Sequence, residues 1–185
     1  MALSVQVDTR GAELIRYQRL IDHLGRNDYK SELLDSIGSA VANQTRNRIS
    51  DEKTAPDGTA WTPWSAAYAK TRHSGNSLLQ GSGDLLDSIE HQVQRNHVRV
   101  GSALVYAGVH QDGFSGSVQI PAHTRLITQA FGKLLKSGVY QSVGAFTRQM
   151  EMPKREYLGL SSDNQTELLA VIGDFWQDVM KEAGL

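Results

Sequence analysis

The stretch from Leu78 to Gly113, LLQGSGDLLDSIEHQVQRNHVRVGSALVYAGVHQDG, strings together features in an order that few folds can accommodate. A Ser-Gly turn leads into Leu85–Gln94, a polar turn at Arg95–His97 reverses the chain, and Val98–Ser102 returns. Ile89 and Val93 fall on the face opposite Ser88 and Gln92, and Val98 and Val100 continue that apolar face, so the two segments read as a hairpin with one side turned to a core. A second pair of segments follows. Val118–Thr128 and Gly138–Met150 are rich in β-branched residues and bracket Gln129–Ser137, QAFGKLLKS, which reads as a turn or a one-turn helix. Two strands joined at a tip cannot bury both faces alone, and an isolated hairpin is marginal in water. The expectation is a projecting hairpin over residues 114–150 that needs a partner surface.

Around these hairpins the apolar period changes to that of helices. Ser4–Asp8 alternates as a short strand, and Leu14, Tyr17, Ile21 and Leu24 recur at helical spacing over Ala12–Leu24, which stops at Gly25. Asn27 or Asp28 can cap a second helix with Leu33, Leu34, Ile37, Ala40, Val41 and Ile49 on one stripe, Arg46 and Arg48 facing largely elsewhere. Asp51–Asn76 reads as irregular chain with a short helix near Ser65–Ala69. Ser162 and Gln165 carry a capping-box pattern for a last helix, whose stripe of Leu168, Leu169, Val171, Ile172, Phe175, Trp176 and Val179 predicts a core of Trp176 and Phe175 with Leu169, Ile172 and Ile89. With 185 residues and 39% apolar content, the chain suits one domain over residues 1–185 with the hairpin as an extension inside it.

Composition narrows the chemistry. The absence of cysteine removes disulfides, thiolate metal sites and a cysteine nucleophile. No run approaches the roughly 18 apolar residues of a membrane span, and the N-terminus lacks a basic region followed by an apolar core, so no membrane partner is expected. The six histidines, at 23, 73, 91, 97, 110 and 123, show no paired ligand spacing, so no metal site is expected. Gly81–Gly83 lacks a following Gly-Lys-Ser/Thr, Ser82 and Ser102 lie in no nucleophile elbow, and no cofactor follows from any motif. His110 and Asp112 could form an acid–base pair, but neighbours on a turn seldom converge on one substrate, and Asp112-Gly113 is also a plain turn signal. No catalytic residue is assigned. Trp61 and Trp64, flanking Thr62-Pro63, read as anchors that pin an irregular loop to the core.

The net charge of −1 hides a segregation. Residues 113–150 carry Arg125, Lys133, Lys136 and Arg148 and no acid, whereas residues 151–185 carry seven acids against three bases. Such a field permits a restricted contact with phosphate or with an acidic protein face. Arg155, next to Glu156, can form a local ion pair or reach a neighbouring subunit.

Three blocks of this sequence resemble the tail-completion, or virion morphogenesis, proteins of Mu-like phages with contractile tails. Within the first block, Leu79, Gly83, Leu85, Ser88, Ile89, Val98, Val100, Gly101, Tyr106, Ala107, His110, Gln111 and Gly113 match the family's order, with Ser82 in place of Thr and Leu86 in place of Arg. PDGTAWTPWS at Pro56–Ser65 and MPKREYLGLS at Met152–Ser161 are the other two. The resemblance implies an α+β domain with helices packed on a small, mostly antiparallel sheet. It also implies a structural role in the virion neck, assembled in the host cytoplasm. There a ring of this chain, expected in about six copies, caps the tail tube and joins tail to head. The implied partners are further copies of the chain, the tail tube protein and the head–tail connector proteins, with passage of genomic DNA through the lumen possible. On this reading His110 fixes a turn or a subunit contact. The alternative from another class is a nucleic-acid-binding module that grips DNA with the basic 113–150 segment, against which stand only four cations, few interleaved aromatics and a pI near 6.6.

Overall fold

A 20-residue helix, α1 (Asp28–Asn47), is the beam on which the remaining elements are laid. The structure is a computed structural model in which residues 15, 19–22, 25, 28–72, 77–130 and 133–183 are described. The expected strand at Ser4–Asp8 and the capping side chains expected at Asn27 or Asp28 lie outside them. Of the expected helix Ala12–Leu24, Ile15 and residues 19–22 are described and helical, and Gly25 N donates to Ile21 O at its end.

α1 runs into a π-helical turn, Arg48–Glu52, closed by Lys53 in the left-handed region at φ 56°. Steps of four, three and four residues from Ile37 through Val41 and Gln44 reach Arg48, so the helical period itself carries it onto the buried stripe. This corrects the expectation for Arg48: its side chain is 0% exposed. Arg46 is half-buried and donates to Ile89 O.

After an irregular segment come the short helices α2 (Ala66–Ala69), N-capped by Ser65, and α3 (Asp84–Asp87). The latter corrects the start of the first hairpin. Gly83 at φ 98° turns the chain, Ser82 Oγ donates to the Asp84 carboxylate, and one helical turn buries Leu85 before the strand begins. Strands β1 (Ile89–Gln94) and β2 (His97–Ser102) then pair antiparallel around Arg95-Asn96. α1 packs on one face of this pair. The approach is close at Gly38, where a Cβ would lie 2.6 Å from His91 and Val98 side-chain atoms.

Helix α4 (Ala107–Asp112) leads to the second hairpin, which is built in two storeys. β3 (Phe114–Ile120) pairs with β6 (Phe146–Met152), and beyond a break at Pro121-Ala122 and Gly144-Ala145, β4 (His123–Ala130) pairs with β5 (Lys133–Val143). Pro121 has no N–H for a ladder, which suits the break. The described residues of Gln129–Ser137 are strand, with Ala130 opposite Lys133, so the expected turn or one-turn helix is corrected: the strands run on to the tip, an irregularity at Ile127–Gln129 absorbing the register shift.

The last helix, α5 (Ser162–Glu182), packs on α1. Its capping box is set one residue earlier than the sequence pattern suggested. Ser161 Oγ accepts from Asn164 N, and the Asn164 amide oxygen accepts from Ser161 N. Val179 is buried and Phe175 half-buried, but Trp176 is 40% and Leu169 69% exposed, which corrects their assignment to the core. The core is assembled from Ala42, Ile49, Trp61, Leu85, Ile89, Ala107 and Tyr157. The fold is α+β, with helices beside small antiparallel sheets of two strands each.

Candidate interaction surface

The three sequence blocks meet in space at the root of the second hairpin. Buried Arg155 holds all three together: its Nε donates to Thr62 O at 2.9 Å, its Nη2 to Pro63 O at 3.4 Å, and its backbone N to His110 O at 2.8 Å. Burial pushes its pKa down, yet the two loop carbonyls on its guanidinium leave it the geometry of a cationic clamp rather than a surface ion pair. The neighbouring pair that does form is Lys154–Glu156, at 2.6 Å. Trp61 is buried and its Nε1 donates to Glu156 O at 3.1 Å, which ties the same loop to the irregular segment that follows β6. Trp64 is half-buried and packs edge-on to Tyr68, 5.9 Å between ring centres.

Gln111 acts as a strand substitute. Its side-chain oxygen accepts from Tyr157 N and Leu158 N at 3.0 and 2.9 Å, and its amide donates to Leu158 O at 3.1 Å. Tyr157 is 1% exposed, its hydroxyl donates to Ala107 O, and burial raises its pKa. Gly159, at φ 141°, sits so close to Pro56 that a Cβ would lie 2.5 Å from the proline ring. Arg48 closes the clasp from below, donating to Tyr157 O, Gly159 O and Asn164 Oδ1. Sequence reasoning named the residues matching the blocks but missed Gln111 and Arg48 as their fasteners. Arg48 carried a signal, since it continues the helical spacing of Ile37, Val41 and Gln44; Gln111 carried none beyond its match to the block.

His110 lies in this clasp, its ring edge-on to Tyr106 at 5.9 Å, and burial together with the Arg155 charge lowers its pKa. Among the described residues it makes no hydrogen bond with Asp112, and Nδ1 has no partner. Gly113, at φ 77°, starts the hairpin. Gly83, Trp64, Tyr106, His110, Arg148 and Arg155 all line one cavity of about 710 Å³ beside β6.

The hairpin that rises from the clasp is two-faced. Register places Phe114, Val118 and Ile120 with Met152, Met150, Arg148 and Phe146 on one side, and Ser115, Ser117 and Gln119 with Glu151, Gln149 and Thr147 on the other. The upper storey packs chiefly on itself. It leaves Leu134 83% and Tyr140 75% exposed, with Leu126 and Val139 also open, and Phe146 at the top of the lower storey is exposed as well. Lys133, Lys136 and Arg148 are exposed, and Arg125 donates twice to the Gln141 side chain across the ladder. Arg125, Lys133 and Lys136 thus stand away from the residues gathered at the root. On α5, Asp163, Glu167, Asp174 and Asp178 recur at spacings of four and seven, an exposed acidic ridge.

Among the described residues no cluster of three or more His, Asp or Glu could hold a metal ion, and no helix is long and apolar enough to cross a membrane. Comparison with curated proteins and with solved structures gave no match. The profile of the phage virion morphogenesis family matches residues 13–175, most of the chain, and covers the helical beam, the clasp, the two-storey hairpin and most of α5; the chain belongs to that family.

Proposed function

We propose that this protein is a structural component of the virion neck that completes or caps the tail tube and joins tail to head as a closed ring of about six copies. The observation that carries this reading is the upper hairpin. Its apolar side chains cover no surface among the described residues, and an exposed hydrophobic strand pair is a hazard unless a partner takes it. Its acid-free surface is matched by the acidic ridge of α5, on a different part of the same chain. Two unlike, complementary patches on one chain generate head-to-tail contacts, and such contacts close into rings when the rotation allows. The tail tube protein and the connector are then the neighbours above and below the ring.

Charge reversal tests the contact. Lys133→Glu with Lys136→Glu is expected to shift sedimentation from ring to monomer, and Asp174→Lys with Asp178→Lys in the same chain to restore part of it. Phosphate contacts give an affinity for duplex DNA that falls with salt, with a slope near −0.9 per contact. Unchanged assembly with loss of salt-dependent DNA binding in the lysine reversal contradicts the ring contact and supports DNA binding by the hairpin instead.

A further inference from the structure

We propose that the free edge of β6 and the cavity beside it form a docking groove for an extended acidic segment of a partner protein, which adds to β6 as a third strand. In the hairpin, only the β6 side contributes to the cavity, through Arg148, Met150, Glu151 and Met152, and no residue of β3 lines it. β6 pairs with β3 along one edge, and among the described residues no backbone hydrogen bond leaves Phe146–Met152 along the other. Such an edge is the template on which extended peptides add by main-chain hydrogen bonds, with side-chain pockets supplying the selection.

The pocket selects by chemistry. Trp64, Tyr68, Tyr106 and Met150 offer aromatic and thioether walls suited to a large apolar side chain. Arg72 lies 4.6 Å over the Tyr68 ring with its buried Nε unpartnered among the described residues, where Arg148 makes no ion pair either. The two carboxylates at the rim are less available as rivals: Asp84 already accepts from Ser82 Oγ, and the register turns Glu151 to the polar side of the ladder beside Ser115. An anion is therefore complementary. Strand alternation puts residues two apart on one face, so the segment carries its acid two places from its apolar anchor. The acids of a second copy's α5 do not fit, because a helix has already used its backbone amides internally and cannot extend a ladder.

The probe is the intact protein mixed with N-acetyl-Thr-Phe-Thr-Asp-Val-amide or with its Asp→Lys counterpart, read by hydrogen exchange over residues 146–152 and by calorimetry. The acidic peptide is expected to slow exchange of that segment, and Arg148→Glu or Arg72→Gln to weaken it about tenfold while the lysine peptide improves on Arg148→Glu. Equal binding of both peptides, binding without protection of residues 146–152, or no binding at millimolar concentration overturns the proposal. So does protection of that edge that grows with protein concentration alone, which assigns it to a second copy. None of these outcomes depends on whether Lys133 and Lys136 support the ring.

Discussion

Arg48 and His110 carry the account at the scale of single residues. A guanidinium with no exposure, bonded to two carbonyls and the Asn164 amide, is held by charge-assisted hydrogen bonds that water can no longer replace. Arg48→Leu removes the donor and leaves those acceptors without it, at an expected cost of about 3 kcal/mol or more in chemical denaturation. A loss under about 1 kcal/mol contradicts the role given to the clasp. His110 has a folded pKa below its ordinary value of about 6.5, because burial disfavours the imidazolium. The unfolded chain therefore binds the proton more readily. Its contribution to stability is full above about pH 6.5 and is lost as the pH falls toward the depressed folded value. Urea midpoints at pH 7.5 and 5.5 are expected to differ more for the natural chain than for His110→Gln; equal differences contradict this. The residues matching the family blocks were legible as residues, while their pairing was not, since Gln111 and Arg155 act on backbone groups some 45 and 90 positions away.

At the scale of elements, legibility followed period. α5, the β1–β2 ladder and the existence of a second hairpin all stood out because their apolar residues repeat at 3.6 or 2. The failures lie where a local device overrides the period, at the single turn of α3 before β1 and at the tip of the hairpin, whereas Arg48 continues the α1 stripe and only its charge argued against burial. Trp176 and Leu169 failed for another reason, because a wide apolar stripe does not say which of its flanks a neighbour covers. The contrast is measurable. Ile89→Ala, at 0% exposure, is expected to cost about 2–5 kcal/mol, whereas Leu169→Ala, at 69%, is expected to cost under about 0.5 kcal/mol. Comparable losses contradict the core described here. The two storeys of the hairpin separate likewise. Replacing residues 121–145 by Asn-Gly joins Ile120 to Phe146, a cross-strand pair, through a two-residue turn. The shortened chain is expected to keep the parent's denaturation midpoint and to lose its oligomer; loss of cooperative unfolding means the upper storey belongs to the core.

At the scale of the whole molecule, the chain divides its work between a clasp that fixes where the hairpin points and an upper hairpin that, among the described residues, packs chiefly on itself. Membership of the phage virion morphogenesis family makes a role in building the particle the frame for that division. A projecting apolar and basic arm, together with an acidic ridge elsewhere on the same chain, suits repetition around an axis. The measurement that reaches this claim most directly is electron cryomicroscopy of assembled particles with the chain located in the map. The account predicts a closed ring at the junction of tail tube and head connector, with each upper hairpin, residues 123–143, seated on the α5 ridge of the next copy. A single copy at that junction, a position elsewhere in the particle, or hairpins directed into solvent or onto DNA with the ridges uncovered would contradict it.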